Sequence, residues 1–221
     1  MCPWSVSLAV DFKLYLITDR KITKMPLPAA VRLALRGGVR AVQVREKDLP
    51  VRELLAIARE LRRITRESNA KLFINDRVDV AVAVEADGVQ LGHQSMPTEA
   101  VRKIVGEKML IGVSTHSLAE AVNAEEAGAD LITLGPIFVT PSKMQYGEPL
   151  GVESIGIVKK HIRIPVFGLG GIRNTNITQV MQAKADGIAM ISAIFAADDI
   201  QRAAELINRR ISEAVKEETK E

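Results

Sequence analysis

The run Gln43-Val44-Arg45-Glu46-Lys47 alternates in a way that would place Gln43, Arg45 and Lys47 on one side of an extended strand. Lys143 lies far along the chain, in a stretch rich in Pro, Ser and Gly. Arg45, Lys47 and Lys143 are cations of the kind that neutralise and orient phosphate or diphosphate oxygens. Asp76, just after Asn75, is a hard oxygen ligand of the sort that binds Mg²⁺ together with substrate phosphates. Gly170-Gly171 and Ile191-Ser192 offer small-residue backbone whose N–H groups suit a monophosphate. One place for a diphosphate with a metal and another for a monophosphate implies a pair of substrates. Taken singly, each feature has a plainer reading. A lone Arg or Lys is most often a solvated ion-pair partner, a Gly-Gly pair can be a tight turn, a serine is usually a cap, and Asn-Asp can be an ordinary turn. Placement along the chain sets these residues apart.

Short apolar β-rich runs alternate with longer amphipathic segments, the pattern of βα units on a parallel sheet. The strand candidates are Leu14–Thr18, Ala41–Arg45, Leu72–Asn75, Gly88–Gly92, Leu110–Ser114, Leu131–Gly135, Val166–Gly170 and Gly187–Ser192. Helical periodicity is clearest in Val51–Glu67, Met96–Val105, Leu118–Ala127 and Ile200–Val215. Ser117 to Glu120 spells a capping box, Asn174 is placed as an N-cap, and Gly37-Gly38, Gly106 and Gly128 stand where left-handed C-caps belong. Eight units predict the α/β class and a single (β/α)₈ TIM barrel. A doubly wound sheet fits less well, because Ile17-Thr18-Asp19-Arg20 follows the first strand where a dinucleotide fingerprint would need glycines. In a barrel, function gathers where strands run into the loops that follow them. The candidate residues fall at such ends.

Composition narrows the function classes. The 221 residues suit one barrel, with residues 1–12 as an N-terminal extension and 216–221 as a frayed tail. A net charge of +3 spread among interleaved acids and bases does not point to nucleic acid. The apolar stretch Val6 to Val10 is too short to span a membrane. A single cysteine, Cys2, rules out an intrachain disulfide and fits a cytoplasmic protein. Whether the chain forms a homo-oligomer is left open. His161 ends a helical pattern, while His93 and His116 fall in loops after strands. Their spacing is not that of a zinc site, and there is no nucleophile elbow.

Several segments resemble the thiamine phosphate synthase family. They are Gln43-Val44-Arg45-Glu46-Lys47, Asn75-Asp76-Arg77, Asp87 to Gly92, Gly112-Val113-Ser114-Thr115-His116, Gly135 to Phe138, Thr140-Pro141-Ser142-Lys143, Gly170-Gly171-Ile172 and Ile191 to Ile194. The resemblance runs from about Leu14 to Arg210. It implies a transferase of thiamine biosynthesis that joins 4-amino-5-hydroxymethyl-2-methylpyrimidine diphosphate to hydroxyethylthiazole phosphate, with Mg²⁺. By matching position, Gln43, Arg45, Lys47, Asn75, Ser114 and Lys143 would hold the pyrimidine diphosphate. Asp76 would bind Mg²⁺, and Thr140, Ser142, Gly171, Ile191 and Ser192 would hold the thiazole phosphate.

Two positions depart from the family. Ser95 stands where a second Mg²⁺ carboxylate is usual, and Gln90 replaces a usual histidine. Both features are similar to the thiazole tautomerases, a sister group on the same fold in which the residue at His116 would move a proton. Gln43, Lys47, Asp76 and Lys143 argue for the synthase, since a tautomerase has no diphosphate to bind. A non-catalytic barrel that binds a phosphate ligand is the third reading. The segment Phe138–Leu150, which carries Lys143, is expected to close over the substrates.

Overall fold

The computed structural model describes residues 10–140 and 148–218. Among these, eight parallel strands close into a barrel in chain order. They are β1 (Leu14–Ile17), β2 (Ala41–Val44), β3 (Lys71–Asn75), β4 (Gly88–Leu91), β5 (Leu110–Thr115), β6 (Leu131–Leu134), β7 (Val166–Leu169) and β8 (Gly187–Met190). β1 pairs with both β2 and β8, so no edge strand is left to recruit another chain. The helices are α1 (Leu27–Arg36), α2 (Val51–Glu67), α3 (Val78–Ala83), α4 (Thr98–Val105), α5 (Leu118–Glu126), α6 (Glu153–Lys159), α7 (Ile177–Gln182), α8 (Ser192–Phe195) and α9 (Ile200–Glu218). This is the (β/α)₈ barrel that the alternating runs imply. Among the described residues no helix is long and apolar enough to cross a membrane.

Alternation along each strand divides the core in two. Leu14, Leu16, Val42, Val44, Leu72 and Ile74 face outward and pack under the helices in one continuous cluster. Tyr15, Ile17, Ala41, Phe73, Phe167 and Ala189 face inward and form a second cluster with Phe12. The rings of Phe12, Tyr15, Phe73 and Phe167 meet at centroid separations of 5.1 to 6.0 Å, in tilted and edge-on arrangements. Phe12, assigned above to a leading extension, is therefore part of the barrel's floor; residues 1–9 of that extension lie outside the described residues. Space for the rings comes from the strand beside each one. Phe73 is in register with Gly88, and Phe167 with Gly187. A Cβ on either glycine would overlap the facing ring.

A repeated device ties the lower rim. Asp87, Asp130 and Asp186 each precede an even-numbered strand and accept the backbone N–H of the strand before it, from Leu72, Ile111 and Val166 at 2.7, 2.6 and 2.8 Å. Each also pairs with a basic residue of the preceding even-numbered helix: Arg62 of α2, Arg102 of α4 and Lys159 of α6. A half-buried carboxylate with both a peptide donor and a cation is satisfied twice over, so the device knits strand, neighbouring strand and helix together.

Some boundaries differ from expectation. α4 starts at Thr98, not Met96, because Pro97 opens the helix: its carbonyl accepts the N–H groups of Ala100 and Val101. The residue that precedes α7 is Asn176, not Asn174. Its Oδ1 accepts the Arg173 N–H at 2.7 Å and its Nδ2 donates to the Gly171 carbonyl, so it braces the loop before the helix. Ser192, read as the end of a strand, begins α8. The helix α9 continues through Glu218, into the segment read as a tail, and residues 219–221 lie outside the described residues. Half of the capping box is present: the Ser117 hydroxyl accepts the Glu120 N–H, but the Glu120 carboxylate accepts the His116 N–H and not that of Ser117.

Because Gly88 makes room for Phe73, Gly88→Ala should lower the free energy of unfolding by about 1–3 kcal/mol, as overpacking does. Phe73→Leu in the Gly88→Ala background should recover part of that loss. Denaturant titration of both single variants and the double variant checks this; strictly additive effects would contradict the packing account.

Candidate functional site at the barrel mouth

Above the aromatic floor, the inward positions turn polar. A chain of hydrogen bonds crosses the barrel there. Gln43 Nε2 donates to Tyr15 Oη at 3.2 Å, and Tyr15 Oη donates to Gln90 Oε1 at 3.3 Å. Gln90 Nε2 donates to Ser114 Oγ at 3.2 Å and lies 3.5 Å from Thr133 Oγ1. Thr133 Oγ1 donates to Ser114 Oγ at 3.3 Å. Five strands thus meet in one layer, and Gly112, in register with Gln90, leaves the space that the Gln90 amide fills. Burial pushes the Tyr15 phenol well above its usual pKa, with the Gln43 hydrogen bond opposing, so Tyr15 stays a neutral donor at any working pH.

Arg45 and Lys47 follow β2 in the loop toward α2, and the acids interleaved with them are engaged elsewhere. Glu46 is buried and accepts from the Thr18 hydroxyl at 2.6 Å, from the Arg20 peptide N–H, and from the Arg20 guanidinium at 3.1 Å. Asp48 takes a two-pronged contact from Arg20 and an ion pair from Lys21 at 2.9 Å. Arg20 beside it holds the Asp48 carboxyl below the usual carboxylate range, and the same pairing raises Arg20. The Arg45 peptide N–H donates to Thr18 Oγ1 at 2.9 Å, which fixes the backbone at this point. With Glu46 and Asp48 satisfied by the loop after β1, the half-buried Arg45 and exposed Lys47 make no side-chain ion pair among the described residues. Two cations without local counter-charge suit an incoming anion.

The remaining predicted residues are placed as follows. Asn75 ends β3, and Asp76 turns the chain with φ of +64° while its N–H donates to the Gln90 carbonyl at 2.8 Å. Its carboxylate is exposed at the same end of the barrel, and the neighbouring Arg77 pairs with Asp79. Ser95 braces a turn, its Oγ accepting the Gly92 N–H at 2.8 Å. His116 lies 3.2 Å from Glu120, whose carboxylate also accepts the His116 peptide N–H at 2.8 Å. The His116 ring is half exposed and outside the polar chain. Among the described residues no three His, Cys, Asp or Glu side chains are grouped to hold a metal.

A second region opens beside β7 and β8: a cavity of about 400 Å³ lined by Thr140, Gly171, Arg173, Asn174, Ser192 and Ala193, among others. Gly171 has φ of +66°, and a Cβ there would come within 2.7 Å of Phe138 and of the Val139 carbonyl. Only glycine lets the backbone turn and approach this closely. Ser192 and Ala193 open α8, whose first N–H groups have no helical partners. Thr140, Gly171 and Ser192 are therefore brought together, with Ile191 immediately before α8. Ser142 and Lys143 lie outside the described residues, as does most of the segment expected to close. Arg173 is a cavity residue that the sequence analysis missed; its position two residues after Gly170-Gly171 was the available signal.

Residues 14–194 match the model of the family described as thiamine monophosphate synthase. A thiamine-phosphate synthase from Chloroflexus aurantiacus is 42% identical over 94% of this chain and 96% of its own length. Another from Pyrococcus furiosus is also 42% identical, over 95% of this chain and all of its own. The solved structure of a thiamine phosphate pyrophosphorylase from Pyrococcus furiosus superposes with a TM-score of 0.86, covering 92% of this chain and 97% of that one.

Arg20→Ala should release Glu46 and Asp48 to draw on Arg45 and Lys47. Inorganic diphosphate should then bind roughly two- to fivefold more weakly by calorimetry, the scale of exposed charge pairs. The Asp48 carboxyl titration followed by NMR should move up toward the ordinary range. Unchanged diphosphate affinity would show that the two acids do not compete for those cations.

Proposed function

The chain belongs to the thiamine monophosphate synthase family and is a transferase, and we propose that it condenses 4-amino-5-hydroxymethyl-2-methylpyrimidine diphosphate with hydroxyethylthiazole phosphate. The products are thiamine phosphate and diphosphate. The observation that carries this reading is the division of one barrel mouth into two regions. Cations with no side-chain ion pair among the described residues follow β2, and a cavity lined by small residues and Arg173 lies beyond β7 and β8. The tautomerase and the non-catalytic barrel find no support among the relatives. Among the described residues the His116 ring has no partner other than Glu120.

In this reading Gln43, Asn75 and Ser114 hold the aminopyrimidine, while Arg45, Lys47 and Lys143 hold its diphosphate. Thr140, Ser142, Gly171, Ile191 and Ser192 hold the thiazole phosphate, and Arg173 joins them. The bond from the pyrimidine methylene carbon to the diphosphate oxygen breaks, and its electron pair leaves with the diphosphate. The 4-amino group pushes electron density toward the methylene carbon and stabilises the cation that forms. The thiazole nitrogen then gives its lone pair to that carbon. No covalent nucleophile is needed, so the protein works by holding the two reactants in line and by stabilising charge on the departing group.

Asp76 is the carboxylate this site would offer a metal, and the Ser95 hydroxyl is used within its own turn. One carboxylate plus the oxygens of a bound diphosphate suits Mg²⁺, which is commonly held by one or two carboxylates and substrate phosphates. When bound, the ion would offset charge on the leaving diphosphate. A lone cysteine and a small-molecule biosynthetic reaction suit a cytoplasmic enzyme.

The purified protein should form thiamine phosphate from the two substrates only when Mg²⁺ is present. Asp76→Ala should raise the Mg²⁺ requirement, and Ser95→Asp should lower it. Lys143→Ala should cut kcat by about 10²-fold or more, the scale of losing one charge-stabilising donor. Absence of product with both substrates and Mg²⁺ would overturn the assignment.

A further inference from the structure

Gln90 sits at the centre of the polar chain and touches neither phosphate region, yet it decides what the two ends of that chain can offer a ligand. The Gln90 amide has one accepting and one donating end. Its Oε1 takes the Tyr15 proton, so Tyr15 Oη is left to accept from Gln43 Nε2. The Gln43 side-chain oxygen, Oε1, then has no partner among the described residues, and it is not one of the atoms sealed from solvent. At the other end, Ser114 Oγ accepts from both Gln90 Nε2 and Thr133 Oγ1. With its oxygen twice engaged, the Ser114 hydroxyl must turn its own proton elsewhere, toward the open side of the half-buried residue. The mouth therefore presents an acceptor at Gln43 and a donor at Ser114. Reversing the Gln90 amide would reverse both together: Ser114 would give its proton inward and Gln43 would turn N–H outward.

We infer that Gln90 is the specificity-determining positioning residue for the heterocycle, tying Gln43 and Ser114 into one acceptor–donor pair matched to an amino-substituted ring. This rests on the assignment of Gln43 and Ser114 to the pyrimidine. An amino group beside an unprotonated ring nitrogen presents a donor and an acceptor in complementary order. The 4-oxo analogue, with a carbonyl beside a ring N–H, presents the reverse order and would leave buried groups unpaired. Gln90 cannot titrate, so the pattern holds across the working pH range.

The test compares the 4-amino pyrimidine diphosphate with its 4-oxo analogue in wild type, Gln90→Glu and Gln90→His. Burial would favour the protonated carboxyl in Gln90→Glu, so its assays are run on the alkaline side; once ionised it only accepts, and Ser114 would give its proton inward while Gln43 is unaffected. The KM for the amino substrate should rise about tenfold or more. Preference over the oxo analogue should fall by a similar factor, and the KM for thiazole phosphate should not change. A neutral imidazole again offers one donor and one acceptor, so Gln90→His should restore much of the preference. Should Gln90→Glu fail to fold, Tyr15→Phe removes a single hydroxyl of the same chain and should give the same rise in pyrimidine KM. Retention of both KM and preference within twofold in Gln90→Glu, or in Tyr15→Phe where that variant stands in, overturns the inference while leaving the synthase assignment intact. A wild-type protein that forms no product overturns the assignment itself.

Discussion

A parallel sheet closed on itself leaves each strand only two directions for its side chains, and this constraint shapes the rest of the molecule. Outward residues must be apolar to lie under helices; inward residues must fill a narrow tube without water. The tube is solved in layers. Phe12, Tyr15, Phe73 and Phe167 seal the lower part, and Gly88 and Gly187 supply the room those rings need. The next layer cannot be simply apolar and still serve as the bottom of a site. It is built from Gln43, Gln90, Ser114 and Thr133, held by hydrogen bonds across five strands. Tyr15 belongs to both layers, with its ring in the aromatic floor and its hydroxyl in the polar chain.

Charge follows the same geometry. Arg45 and Lys47 stand in a run that also contains Glu46 and Asp48, and a linear reading would let these four neutralise one another. The barrel separates them. Closure brings the loop after β1 beside the loop after β2, and Arg20 and Lys21 take up both acids. The buried Glu46 gains a hydroxyl, a peptide donor and a guanidinium, so its carboxylate is not left unpaired out of water. Two cations are left over as a result, so one set of contacts both stabilises the loops and prepares the site.

Much of the fold was legible because its signals are local. Apolar runs of strand length, the Ser117 N-cap and the glycines after helices each act within a few residues. The grouping of Thr140, Gly171 and Ser192 was also anticipated, since barrel strand ends collect on one face. Other features left weaker traces. Asp87, Asp130 and Asp186 each follow an alanine and precede a strand, but their partners are peptide groups and helical cations 15 to 28 residues away. Asn174 has the residue type of a cap, yet the loop it sits in is braced by Asn176, and Asn174 lines the cavity instead.

The order of amino acids settled the alternation of strands and helices, the alternation of faces along each strand, and the chemical types available at each strand end. These depend on backbone periodicity and side-chain chemistry, which any chain carries before it folds. Which acid answers which base, and the link that Gln90 makes between Gln43 and Ser114, emerged with the closed barrel. Such pairings join residues far apart in the chain, Tyr15 and Gln90 being 75 positions from one another, and arise when closure of the barrel fixes register between strands. Distances of that kind have no expression in a local pattern, because they are set by the ring of eight strands as a whole.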